Sequence, residues 1–318
     1  DVQVWQPWDT ADAVRKFLQH FRPKMGVLIE TEVWPNLVAQ CRAAQLPLLL
    51  VNARMSAQSL AKALGAWSLA RAAYGGLTAV YAQAEDDAQR LRQLGAKVQG
   101  VLGNLKFDAN PNPEQLSTAR GWRALQTRPV VMLASSREGE EQMLVEEISK
   151  QKVLVAGEIS AQAAMNNVAI GVFTSVQWLI VPRHPQRFDE VQMLLESRGL
   201  TVSRRSTWAD APPLADVWLG DTLGEMALYY GLSDVALLGG SFASLGGQNL
   251  IEALACGCPI VMGPHTFNFA EAAEGAERCG AALRVADIGE GLARVQQVLA
   301  DNESEPMRKA ALQFVAAS

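Results

Sequence analysis

Only four cysteines and three histidines occur among 318 residues, and that scarcity narrows the chemistry. Cys41, Cys256, Cys258 and Cys279 form no disulfide framework, which points to a reducing compartment. Cys256 and Cys258 are too closely spaced for a zinc motif and have no flanking Cys or His, so structural thiols and no metal site are expected. No apolar run approaches the roughly 18 residues of a membrane span, and there is no signal peptide. The phosphate-cradling G-x-x-x-x-G-K-[ST] loop is missing, which excludes a P-loop NTPase. A G-x-S-x-G elbow is missing, which argues against an α/β-hydrolase. No G-x-G-x-x-G follows an early strand, so a dinucleotide oxidoreductase is not expected. The net charge of −5 argues against broad nucleic-acid binding.

What is present is a well-packed chain, 49% apolar and 19% charged, long enough for two domains. Strand and helix signals alternate through the first hundred residues. Val27–Ile29, Leu48–Val51, Ala79–Tyr81 and Val98–Leu102 read as strands, with helices over Asn36–Ala44, Ala57–Ala73 and Glu85–Leu94 between them. A polar, Pro-rich break at residues 108–114 precedes a helix near Glu114–Leu125. A second series opens at Val130–Ala134 and continues through Trp178–Val181 and Leu200–Val202. This rhythm predicts an α/β protein with parallel sheets. Residues 1–110 are expected to form an incomplete Rossmann-like lobe and 111–128 a connection. Residues 129–318 are expected to form a second such lobe, with a cleft between the two. Residues 152–177 have apolar stretches but no clean period.

Three strand-to-helix junctions crowd the stretch 217–266. Val217–Leu219, Val235–Leu238 and Pro259–Met262 read as buried parallel strands. They are followed by Asp221-Thr222-Leu223-Gly224-Glu225, by Gly239-Gly240-Ser241 through Gly246-Gly247-Gln248-Asn249, and by Gly263-Pro264-His265-Thr266. Ligands of open α/β sheets bind outside the carboxyl ends of strands, where helix N-termini offer free N–H groups. Asn249-x-x-Glu252 is spaced as a capping box. It equally suits a nucleotide site in which the glycine loop's N–H groups hold a phosphate and Glu252 accepts from ribose hydroxyls. Four glycines on one loop exceed what a cap requires. Thr222-x-x-Glu225 carries the same two readings. Arg183, between Pro182 and His184-Pro185, is either an anion ligand or a surface ion-pair partner. His184 is either an acid–base group or a packing residue. Lys106 either neutralises an anion or is solvated. Glu30 and Glu32 either meet a sugar or act as a base, or they complement a helix N-terminus. Ser135 and Ser136, before Arg137-Glu138-Gly139-Glu140-Glu141, are either anion donors or part of a helix cap.

Taken in order, several long strings resemble the 3-deoxy-D-manno-octulosonic acid (Kdo) transferase family. They are ETEVWPN (Glu30–Asn36), VNARMS (Val51–Ser56), GNLKFD (Gly103–Asp108), SREGEE (Ser136–Glu141), VPRHPQRF (Val181–Phe188) and GDTLGEM (Gly220–Met226), then the run from GGSFASLGGQNLIEA to GPHTFNF. The resemblance spans nearly the whole chain. It implies a GT-B fold and an inverting, metal-independent glycosyltransferase of lipopolysaccharide biosynthesis. Such an enzyme moves Kdo from CMP-Kdo to a lipid A precursor, lipid IVA, at the cytoplasmic face of the bacterial inner membrane, with no cofactor beyond the donor. By that resemblance CMP contacts fall on Pro182 and Arg183, on Leu223, Gly224 and Glu225, and on Asn249, Leu250, Ile251 and Glu252. Lys106, Arg183 and Glu32 are expected to support catalysis, Arg183 and Lys106 by helping CMP depart.

Three departures bear on activity. The family's catalytic base is a Glu whose position lies ahead of residue 1, so no residue here is assigned that role. Glu158 in Ala-Gly-Glu-Ile is only superficially similar and lies in the wrong lobe. The family's N-terminal anchor, its first βα units and its closing C-terminal helices have no counterpart, so the chain is expected to be a fragment that is inactive alone. Residues 151–176 look like an insertion. Rival readings are a GT-B enzyme using a UDP-sugar, as transferase or epimerase, and a non-catalytic two-lobed sugar-binding protein. Preference for CMP over UMP discriminates within the enzymes. Oligomeric state is left open.

Overall fold

Short Val-, Leu- and Ala-rich runs become strands, and in the centre of the longer sheet they are buried on both faces, as parallel sheets covered by helices are. The computed structural model describes residues 2–105, 110–148 and 176–317. Lys106, Glu158 and nearly all of the 151–176 segment lie outside the described residues. Spatial clustering divides the chain into Asp1–Asp108 and Ala109–Ser318.

In the first unit β1 (Gly26–Ile29), β2 (Leu48–Ala53), β3 (Ala79–Ala82) and β4 (Val98–Val101) form one parallel sheet in that order. Each connection passes through helix, because parallel neighbours need a crossover. The core gathers Leu28, Leu50, Val80 and Leu91. Helix Pro35–Ala43 opens on a proline and lacks a local cap. Asp9 supplies one from afar, accepting from the Asn36 N–H at 3.1 Å and the Leu37 N–H at 2.8 Å. The single helix expected over Ala57–Ala73 is two, Ala57–Gly65 and Trp67–Gly76, broken at Ala66. Gly65 weakens the helix there, and no residue of Ala57–Gly65 is buried to hold the turn. Glu30 and Asn52, at the ends of β1 and β2, have φ of 58° and 50°.

The second unit carries seven parallel strands: β5 (Val130–Ser136), β6 (Gln177–Pro182), β7 (Val202–Arg204), β8 (Val217–Leu219), β9 (Val235–Leu238), β10 (Ile260–Met262) and β11 (Ala282–Arg284). Their spatial order is β11-β10-β9-β5-β6-β8-β7. From β5 the chain builds outward to β6, β8 and β7, then returns to add β9 on the other side. The order therefore reverses between β5 and β9, where Val131 faces Val235 and Ala134 faces Leu238. The strand expected at Leu200–Val202 begins two residues later, and β11 was not anticipated. Helix Pro113–Ala124, within the stretch expected to be a connection, packs into this unit. Arg123 bonds Asp234 at 2.8 Å, and the same carboxylate oxygen accepts from the Val130 N–H at 2.7 Å. Among the described residues no helix is long and apolar enough to cross a membrane.

At the reversal the two strand ends approach closely. The Gly239 N–H donates to the Ala134 carbonyl at 2.8 Å. A Cβ on Gly239 would sit 2.5 Å from the carbonyl oxygens of Ala134 and Ser135. Backbone cannot retreat as a flexible side chain would. Gly239→Ala should therefore destabilise the unit by about 1–3 kcal/mol, the usual range for overpacking, read as a lower urea midpoint with unchanged slope.

Candidate functional site

A cavity of about 290 Å³ opens at the carboxyl ends of β5, β6 and β8. This is the position where open α/β sheets bind ligands. Its wall includes Ser135, Pro182, Arg183, Leu223, Gly224, Asn249 and Glu252. Six of the nine residues matched to CMP contacts thus line one cavity. Leu250 and Ile251 have fully buried side chains, so only their backbones can serve a ligand. Glu225 does not line the cavity but is bonded to Thr222, which does. His184 does not line it.

The glycine loop after β9 differs from the sequence-based expectation. On one of its two readings its N–H groups hold a phosphate, but three already bind a carboxylate of the protein. Glu140 is fully buried. One of its oxygens accepts from the Gly240 N–H at 2.7 Å and the Arg137 N–H at 2.9 Å. The other accepts from Phe242 at 3.2 Å and Ala243 at 3.3 Å. The Gly247 and Gln248 N–H groups return to the Gly240 and Gly239 carbonyls at 2.8 and 3.0 Å. The loop is closed on itself around an internal anion. Burial raises the Glu140 pKa, while the four N–H groups pull it down. An acid whose pKa is higher folded than unfolded loses its stabilising contribution as pH rises through the folded value. Ionising Glu140 is therefore a charge on the fold that the N–H nest offsets.

The next residue is equally committed. Glu141, also fully buried, accepts from Ser136 Oγ at 2.7 Å and from both Nη atoms of Arg187 at 2.8 and 3.1 Å. Ser136 is thereby excluded as an anion donor. Ser135 remains on the cavity wall at φ 52°, a left-handed conformation that costs a non-glycine residue of order 1 kcal/mol.

The two helix junctions resolve differently. Asn249 caps helix Leu250–Ala255, its Oδ1 accepting from the Ile251 N–H at 3.1 Å. Glu252 does not complete a capping box. Among the described residues its carboxylate has no hydrogen bond or ion pair, and it lines the cavity. Burial raises its pKa, and the positive charge of Arg183 partly offsets that. The Arg183 guanidinium is exposed and has no ion pair among the described residues, although its backbone N–H donates to Ser136 at 3.0 Å. The ion-paired reading of Arg183 is therefore not realised. At Thr222-x-x-Glu225 the helix starts only at Met226. Thr222 Oγ1 bonds the Glu225 carboxylate directly and lies 2.5 Å from the Tyr229 hydroxyl. Burial raises Tyr229 to about 12, so it stays protonated.

In the first unit Glu32 accepts from Trp34 Nε1 at 2.9 Å. Asn52 Oδ1 accepts from the Leu105 N–H at 3.1 Å, so its strained backbone ties β2 to the chain leaving β4. Lys106 is outside the described residues. No group of three potential metal ligands occurs among the described residues. Sequence reasoning missed Glu140, Glu141 and Arg187. Their only signal was the density of charge at an otherwise apolar strand-to-helix junction.

Comparison with known proteins gives a consistent set. A family model described as 3-deoxy-D-manno-octulosonic-acid transferase (kdotransferase) matches residues 1–109. A 3-deoxy-D-manno-octulosonic acid transferase of Bordetella pertussis is 46% identical over 311 residues, covering 98% of this chain and 68% of that relative. The solved C-terminal CMP-Kdo binding domain of WaaA from Acinetobacter baumannii matches with a TM-score of 0.53 at 28% identity, covering 64% of this chain and 99% of that one. Anabaena Alr3699/HepE, solved with UDP, matches at 14% identity with a TM-score of 0.53, over 96% of this chain and 78% of that one, a likeness of fold alone.

Two outcomes follow from the geometry. Glu140→Ala strips the acceptor from four N–H groups, that of Gly240 buried and the other three part-buried, and an unsatisfied buried group costs about 1–3 kcal/mol. Urea unfolding should show a loss of about 3 kcal/mol or more. Arg183→Ala removes the charge that holds Glu252 down, so the Glu252 pKa should rise further in a carbon-13 carboxyl titration. An unmoved titration would mean that the two groups do not interact.

Proposed function

The chain belongs to the 3-deoxy-D-manno-octulosonic acid transferase family, a group of GT-B glycosyltransferases, and from that premise we propose that the cavity at the β5/β9 reversal binds CMP-Kdo. The observation that carries this reading is the pair Arg183 and Glu252: a guanidinium and a carboxylate with no ion pair among the described residues, on one wall of a strand-end cavity. Arg183 matches the phosphate of CMP in charge and in its forked geometry. Glu252 offers acceptors to ribose hydroxyls. The Leu223–Glu225 turn supplies backbone and an exposed apolar side chain beside the base.

The acceptor is a lipid A precursor, lipid IVA. One of its hydroxyl oxygens forms a bond to the anomeric carbon of Kdo as the bond from that carbon to the CMP phosphate breaks. CMP leaves with the electron pair, and the hydroxyl proton passes to a base not assigned to any residue here. Charge develops on the departing phosphate, where Arg183 is placed to stabilise it. No cofactor is assigned. A lipid-linked acceptor puts the reaction at a membrane surface, and we assign it to the cytoplasmic face of the inner membrane. Trp67 and Leu69, exposed on the helix Trp67–Gly76, suit such a surface.

Calorimetric titration with CMP, with UMP as control, tests the donor assignment. CMP should bind in preference to UMP. Arg183→Ala should weaken it by about 1.5–3 kcal/mol, the usual contribution of hydrogen bonds to a charged group. Preference for UMP would overturn the proposal in favour of a UDP-sugar enzyme.

A further inference from the structure

The cavity turn Asp221–Glu225 is held by the last residue of β7 and the segment that follows it. Asp221 accepts from Arg204 Nε at 2.9 Å, from the Ser206 N–H at 2.8 Å and from Ser206 Oγ at 2.6 Å. At the other end of the turn, Arg205 Nη2 donates to Glu225 Oε1 at 2.8 Å, while Thr222 Oγ1 takes Oε2. Between these ties stands Gly224, at φ 77°, where an added Cβ would meet no atom within 4 Å. Its carbonyl accepts from Gln115 Nε2 at 2.9 Å, and the rest of the turn is fixed by the ties at either side.

Arg205 is an unusual residue to spend on packing. Its guanidinium carbon lies 5.4 Å from the centre of the Trp122 ring and 5.6 Å from that of Trp208. Those two rings meet edge to face at 5.9 Å. Its Nε is buried with no hydrogen-bond partner among the described residues. Desolvating a cation and leaving a donor unmade are both unfavourable, and an apolar side chain would fill the same slot without either penalty. The aromatic faces recover part of the cost. The ion pair to Glu225 is what remains for the charge to do.

We infer that Arg205 is a positioning residue of the donor site, holding the Glu225 carboxylate and with it the Thr222–Glu225 turn in the arrangement that meets the nucleotide. Arg205 itself does not line the cavity. It acts through Glu225, fixing one oxygen so that the other faces Thr222, and it neutralises a carboxylate that would otherwise oppose a bound phosphate. This role rests on the assignment of the cavity to CMP-Kdo.

The test combines Arg205→Met, Arg205→Lys, Glu225→Gln and the Arg205→Met/Glu225→Gln double variant of the full chain. Two readouts are used: amide hydrogen exchange of Thr222–Glu225 without ligand, and CMP affinity by calorimetry. Methionine preserves the stem against the tryptophans and removes the charge. Arg205→Met should speed exchange in the turn and weaken CMP about tenfold, comparable to losing a residue that orients a ligand-binding group at a metal site. Glu225→Gln should weaken CMP by a similar factor. The double variant should lose no more than either single one, because both break the same tie. Arg205→Lys should fall between wild type and Arg205→Met. If Arg205→Met does not fold, Arg205→Lys decides: wild-type exchange and affinity in that variant overturn the role. So do an unchanged Arg205→Met, or losses that simply add. Failure of the unaltered chain to bind CMP would sink the donor assignment instead. The exchange experiment, which needs no nucleotide, would still decide whether Arg205 holds the turn.

Discussion

Four backbone N–H groups converge on the carboxylate of Glu140, and much of the second unit depends on that convergence. Glu140 belongs to the helical segment after β5, and three of its four partners lie on the loop after β9. The residue therefore joins the strands on either side of the chain reversal, at the end of the sheet where the cavity opens. A glycine-rich loop with several N–H groups turned inward needs an anion, because buried donors without acceptors are costly. Here the anion is covalently part of the protein. The loop is formed before any ligand arrives, and the task of meeting a phosphate passes to groups outside it.

The distribution of charge around the cavity follows. Glu141 is matched by Arg187, Asp221 by Arg204 and Glu225 by Arg205. Each pairing removes a negative charge from the field a donor phosphate would meet. Arg183 and Glu252 stand apart from this pattern. They influence each other through space without forming a pair, so the cation keeps its fork available and the carboxylate keeps its lone pairs. The partly buried Glu252 carboxylate is disfavoured by desolvation, whereas the exposed Arg183 guanidinium stays solvated.

Much of this was legible in the sequence because it depends on short-range pattern. Val217–Leu219 and Val235–Leu238 were bounded by turn residues and form strands at those limits. Asn249 was recognisable as a cap. The β7 strand was displaced because its residues are only half-buried and two consecutive arginines follow its start, so no apolar run marks it. Ala282–Arg284 is three residues ending in a charge, too little for any periodic signal. The roles of Glu140 and Arg205 could not be read locally. Glu140 reads as an acidic first-turn residue, yet its partners lie about a hundred positions on. Arg205 reads as one of several surface arginines, yet Trp122 and Trp208 close over it. Burial of a charge is decided by tertiary neighbours, and spacing carries no record of them.

The turn Asp221–Glu225 leaves one side chain without a structural duty. Asp221, Thr222 and Glu225 are bonded, and the Gly224 carbonyl accepts from Gln115 Nε2 at 2.9 Å. Leu223 is 73% exposed at the rim of the cavity. A tied turn that presents an exposed side chain at the rim of a cavity is what a reporter group needs. A fluorophore carried at position 223 would ride on fixed backbone and sense occupancy of the cavity through its changing surroundings. Binding could then be followed optically, without the fold having to move to produce a signal.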